Sequence, residues 1–136
     1  MISNQVLQST IEGIGNITRA QLCVMDLQGK VLASTMENAQ NYAEAVLLFA
    51  GSQADSQTMH GCQYFKVFDE NQLEYVVVVR GEMDDIYMVG RLAAFQISNL
   101  LVAYRERYDR DSFIKNLLLD NLLMVDIINR AKKLHI

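Results

Sequence analysis

Val6, Leu7, Thr10, Ile11, Ile14 and Ile17 recur at the spacing of one helix face, and Ser3 ahead of them can cap the first turn. A helix is therefore predicted from about Asn4 to Ile17, its end weakened by Gly13 and Gly15. Two short runs follow, Gln21 to Asp26 and Lys30 to Thr35, around Leu27-Gln28-Gly29, which reads as a first β-hairpin. From Asn41 to Ala50 the residues Tyr42, Ala45, Val46, Phe49 and Ala50 return to helical spacing, and Gly51 marks the stop.

Beyond the polar stretch Ser52 to Gln57, Thr58 to His60 predicts an edge strand ahead of Gly61. Cys62 to Phe68 and Leu73 to Arg80 flank Asp69-Glu70-Asn71-Gln72 as a second hairpin. Val76-Val77-Val78-Val79 does not alternate with polar residues, so its strand must be covered on both faces and belongs in the centre of a sheet.

After Gly81, a long helical pattern begins near Asp84 and extends to about Asp109. Asp84, Arg91, Ser98 and Arg105 fall seven apart on one narrow stripe, leaving Ile86, Val89, Leu92, Ala93, Phe95 and Leu100 around the remaining circumference. One sheet face cannot cover so wide an apolar surface. A second copy of the helix can, which predicts a homodimer with these six residues in its interface. Phe113, Ile114, Leu117 and Leu118 then resume the pattern to an expected break near Asp120 to Leu123, with a last helix from about Asp126 to Leu134.

Together these elements predict an α+β fold of PAS-like or profilin-like type: an antiparallel sheet of about five strands between helical layers, followed by a long C-terminal helical arm. The expected division is a PAS-like domain at 1–109, including the long helix, and a helical segment at 110–136. The hydrophobic content of 51% in 136 residues is enough for one substantial core. The net charge of -4 gives no broad attraction for phosphate backbones, so this segment is not expected to bind DNA itself. Arg130, Lys132 and Lys133 suit the last turn of a helix, where cations offset the helix dipole. Two cysteines form no disulfide framework, and the N-terminus lacks a signal-peptide pattern, so a cytoplasmic location without a membrane span is expected.

Motifs of chemistry are sparse. Gly13-Ile14-Gly15 lacks the third glycine and the preceding strand of a dinucleotide loop, and no nucleophile elbow, phosphate loop or metalloprotease pair occurs. His60 and Cys62 share a strand face and Cys23 offers a third thin ligand, but small core cysteines are the commoner case, so neither a metal nor a cofactor is expected. No catalytic residue is assigned. If Phe68 pairs with Leu73, one face of the second hairpin carries Cys62, Tyr64, Lys66 and Tyr75; with His60, these form the candidate site for a small anion. Lys66 would supply the charge, beneath the Tyr42 to Ala50 helix.

Ile17-Thr18-Arg19-Ala20-Gln21-Leu22-Cys23-Val24-Met25-Asp26-Leu27-Gln28-Gly29-Lys30-Val31 resembles the opening of the sugar-diacid recognition domain of carbohydrate diacid regulators. Phe113 to Leu123 and Val125 to Ile136 are similar to the helical connector of that family and of the purine-catabolism regulators related to it. The resemblance implies a bacterial transcription regulator whose N-terminal domain senses a ligand and dimerises, with DNA reached only through a C-terminal helix-turn-helix that lies outside this sequence. The competing expectation is a dimerisation module with no ligand.

Overall fold

The computed structural model describes residues 2–133, with side chains as far as residue 119. In chain order the elements are α1 (Asn4–Thr18), β1 (Gln21–Met25), β2 (Val31–Ser34), a 3-10 turn (Ala39–Tyr42), α2 (Ala43–Ala50), β3 (Ser56–Met59), β4 (Cys62–Asp69), β5 (Gln72–Arg80) and α3 (Ile86–Lys133). The fold is α+β. Its single five-stranded sheet is antiparallel throughout, in the order β2-β1-β5-β4-β3. The chain divides into two compact units, Met1–Val102 and Ala103–Ile136.

The valine run sits where its pattern demands: β5 lies at the centre, and Val76, Val77, Val78 and Val79 are all fully buried. On one sheet face Val46 and Phe49 of α2 pack with Cys23, Met25, Cys62, Tyr64, Val76 and Val78. The opposite face carries Leu22, Val24, Phe65, Val67, Tyr75, Val77 and Val79 under α1 and the first turns of α3, which contribute Leu7, Ile11, Val89, Ala93, Ile97 and Leu101 to the core. Gly90 brings α3 closest: a Cβ there would stand 2.0 Å from the Phe65 ring.

Local chemistry fixes the ends of these elements. Ser3 caps α1 by accepting from Val6 N at 3.2 Å. The Asp26 carboxylate accepts from the backbone N–H groups of Gln28 and Lys30, both at 2.9 Å, and so closes the β1–β2 turn. Gln8 reaches from α1 to the free edge of β2, accepting from Ser34 N at 2.9 Å and donating to Ser34 O at 2.8 Å. That pair of bonds substitutes for a neighbouring strand and protects an open edge. Between β3 and β4, His60 (φ 53) and Gly61 (φ 75) form a two-residue loop with both positions in the left-handed region, the turn whose twist suits a hairpin.

Two expectations are corrected. The helical pattern is not broken near Asp120 to Leu123: α3 runs to Lys133, since that stretch contains neither glycine nor proline to stop it. The expected end at Leu134 lies outside the described residues. The register of the second hairpin also changes along its length. Phe68 does pair with Leu73, but a bulge follows, and Val67 pairs with Tyr75, leaving Glu74 as the extra residue. An unbroken register would set Glu74 beside Val67 on the face under α1 and α3, where a carboxylate is costly to desolvate. The bulge expels it and places Tyr75 there instead.

By length and composition α3 meets the requirement for a membrane span over Ile86–Leu119, a test that core helices of soluble proteins also pass. Here Val89, Ala93, Ile97 and Leu101 are buried against the sheet. In the second unit, Tyr108, Phe113, Ile114, Leu117, Leu118 and Leu119 are exposed.

Candidate functional site

The residues expected to form one pocket are distributed over three places. Cys62 and Tyr64 are fully buried beneath α2. Tyr75, carried across the sheet by the bulge, is buried on the opposite face, where its hydroxyl takes a hydrogen bond from the backbone of Ile2. His60 stands exposed at the tip of the β3–β4 turn. Tyr64, Lys66 and Tyr75 therefore do not converge.

Lys66 faces neither a cavity nor open water. Its ammonium donates to the backbone carbonyl of Ser52, just past the end of α2, and lies 5.1 Å from the centroid of the Phe49 ring. A cation at that position complements the helix dipole and the unpaired carbonyls of the last turn, with the aromatic face adding a further attraction. Lys66→Met keeps the apolar stem but removes these contacts. It should lower stability by about 1–2 kcal/mol in a denaturant titration and leave ligand affinity unchanged.

The space under α2 is filled. Phe49 and Tyr64 stack tilted, with centroids 6.0 Å apart. Burial pushes the Cys23 thiol and the Tyr64 phenol up to about 12 each, and it raises Cys62 as well. These groups stay protonated at neutral pH, and the two thiols pack as small core residues. Among the described residues, no group of three or more His, Cys, Asp and Glu side chains is placed to hold a metal ion.

An open-sided cleft of about 890 Å³ lies instead at the end of the sheet where β1 begins and β5 finishes. Register builds it. Gln21 pairs with Arg80, so the first residue of β1 and the last of β5 share that end, and the His60-Gly61 turn leads into β4 beside them. Arg19 caps α1 in the left-handed conformation (φ 66), its N–H bonded to Gly15 O at 2.8 Å. The cleft is lined by Arg19, Gln21, Glu37, Asn38, Tyr42, His60, Gly61, Arg80, Gly81, Glu82 and Met83. Arg80 Nη1 donates to the Tyr42 hydroxyl at 3.4 Å.

Backbone strain is concentrated here. Among the described residues, Arg19, Asn38, His60 and Glu70 are the non-glycine residues with positive φ, and the first three line the cleft. Each such conformation costs roughly 1 kcal/mol or more and is explained locally, Arg19 ending α1, Asn38 preceding the 3-10 turn and His60 lying in the hairpin turn. Comparison of the chain with family models and with curated proteins finds no match.

Chemically, the cleft offers two guanidinium groups and an imidazole for anionic oxygens, and the carboxylates of Glu37 and Glu82 as acceptors for hydroxyl donors. Of the expected site residues only His60 belongs to it. Arg19 and Arg80 stand outside the expected set because this cleft is made by strand ends rather than by one hairpin face. A signal was present in the chain: Arg80 directly follows the valine run Val76 to Val79, and Arg19 separates the first helix from the first strand.

The expected dimer residues also divide. Val89 and Ala93 are buried in the chain's own core, and Ile86 and Leu100 are half-buried. Leu92 (58% exposed) and Phe95 (64%) face outward with Met88 (61%), on the side of α3 away from the sheet. The sheet thus takes the i, i+4 row from Val89 to Leu101, and the next row remains open to water.

Proposed function

We propose that this chain is the ligand-sensing and dimerisation domain of a bacterial transcription regulator, reading a small polyhydroxylated acid in the Arg19–Arg80 cleft. One observation carries the reading: Arg19, Arg80, Glu37 and Glu82 line the same cleft, a set of donors and acceptors suited to a molecule bearing both carboxylate and hydroxyl groups. A sugar diacid has that chemistry, in keeping with the resemblance of residues 17–31 to the sugar-diacid recognition domain.

The domain performs no catalysis in this reading, works in the cytoplasm, and pairs with a second copy through Met88, Leu92 and Phe95. Occupancy of the cleft biases α3, because Arg80, Gly81, Glu82 and Met83 lead directly into it. DNA binding belongs to a helix-turn-helix outside this sequence, consistent with the net charge of -4 here.

A thermal-shift panel of tartrate, glucarate, gluconate and allantoate tests the reading, since a ligand specific to the native state raises Tm by mass action. At a hundredfold excess over Kd the stabilisation is about 2.7 kcal/mol, and at least one of the four acids should reach it. A second reading, a dimerisation module without a ligand, draws on the filled interface between α2 and the sheet. A flat response to all four acids selects it.

A further inference from the structure

Among the described residues, the Tyr64 hydroxyl is the one buried side-chain polar atom with no hydrogen-bond partner. Leaving such a group unpaired is expensive, so each one in a folded chain calls for an explanation. Tyr64 is fully buried, and Tyr42 packs against its cluster from the cleft side. Tyr42 therefore belongs both to the cluster that holds the unpartnered hydroxyl and to the lining of the cleft. Its own hydroxyl accepts from Arg80 at 3.4 Å, a long and weak bond, and also interacts with the Cys62 side chain of that cluster.

Resting on the anion-sensing reading above, we propose that Tyr42 is a two-position positioning residue: its hydroxyl accepts from Arg80 when the cleft is free and from Tyr64 when an anion takes the guanidinium. A carboxylate outcompetes a neutral phenol at Arg80, because charge-assisted hydrogen bonds are roughly twice as strong as neutral ones. The displaced Tyr42 oxygen can accept from the Tyr64 phenol, which is protonated because burial pushes it up to about 12 and has its donor unused. Tyr42 ends the 3-10 turn and immediately precedes α2, so the exchange moves the start of that helix. Anion binding at the surface thus satisfies a buried group that is costly in the free state.

The test is a double-mutant cycle on the full chain, with glucarate and tartrate as calorimetric probes and Tm as the second readout. Tyr64→Phe should raise the ligand-free Tm by about 3 °C, because it removes an unsatisfied hydroxyl, while weakening probe binding about fivefold. In a Tyr42→Phe background the Tyr64→Phe change should have no further effect on affinity. A lower ligand-free Tm for Tyr64→Phe, parental affinity, or equal weakening in both backgrounds would each overturn the exchange while leaving the anion site standing. If the parent binds neither probe, the anion-sensing reading fails and the exchange fails with it.

Discussion

Gly90→Ala should destabilise the chain by about 3 kcal/mol and lower Tm by roughly 10 °C, although alanine is the better helix former by about 1 kcal/mol. The added methyl would stand 2.0, 2.6 and 2.7 Å from three atoms of the Phe65 ring, far inside van der Waals contact. Phe65 cannot withdraw. It is buried on a central part of the sheet and also meets Tyr87 of α3, at 5.4 Å between ring centroids. Overpacking therefore outweighs propensity, and α3 must lift from the sheet. Phe65→Leu in the same chain should restore part of the loss, a coupling expected only if the two positions touch. A more stable Gly90→Ala variant would show that α3 does not dock on Phe65.

Phe95→Glu should weaken dimerisation at least about a hundredfold, since a charge placed in a desolvated interface costs several kcal/mol. Phe95 is mostly exposed in the single chain, so the fold of the monomer should be nearly unaffected, within about 0.5 kcal/mol. Val89→Glu makes the contrast. That residue is buried against the sheet, and the substitution should unfold the domain rather than dissociate it. Sedimentation velocity at micromolar concentration separates the two outcomes. A parent chain that sediments as a monomer would remove the dimer from the account.

The elements themselves were legible because each carries its own period. The α1 stripe, the α2 stripe with Gly51 behind it, and the valine run of β5 all fold where hydrophobic spacing placed them. The bulge after Val67 was not legible, because pairing Phe68 with Leu73 is a correct local inference and the shift arises only from what the α1 and α3 layer will accept opposite Val67. One residue of slip moved Tyr75 to the other face and dissolved the expected pocket.

The cleft was harder still to read, since it is made by strand ends from β1 and β5 that lie 59 positions apart, Gln21 against Arg80. Spacing within a hairpin carries no information about that meeting. For α3, the apolar circumference is wider than the sheet covers, since Met88, Leu92 and Phe95 stay exposed, but spacing does not show which rows the sheet takes. Gly90 decides that, by letting the Val89 and Ala93 side come closest to Phe65.

The central claim is that a small acid binds at the Arg80 end of the sheet. Calorimetric titration of glucarate into the parent chain and into Arg80→Met tests it most directly. The expected result is one binding event per chain in the parent and a loss of at least about thirtyfold in affinity for Arg80→Met, from removal of a charge-assisted contact worth about 2 kcal/mol or more. Binding by Arg80→Met as tight as the parent's, or no heat of binding in either protein, would contradict it.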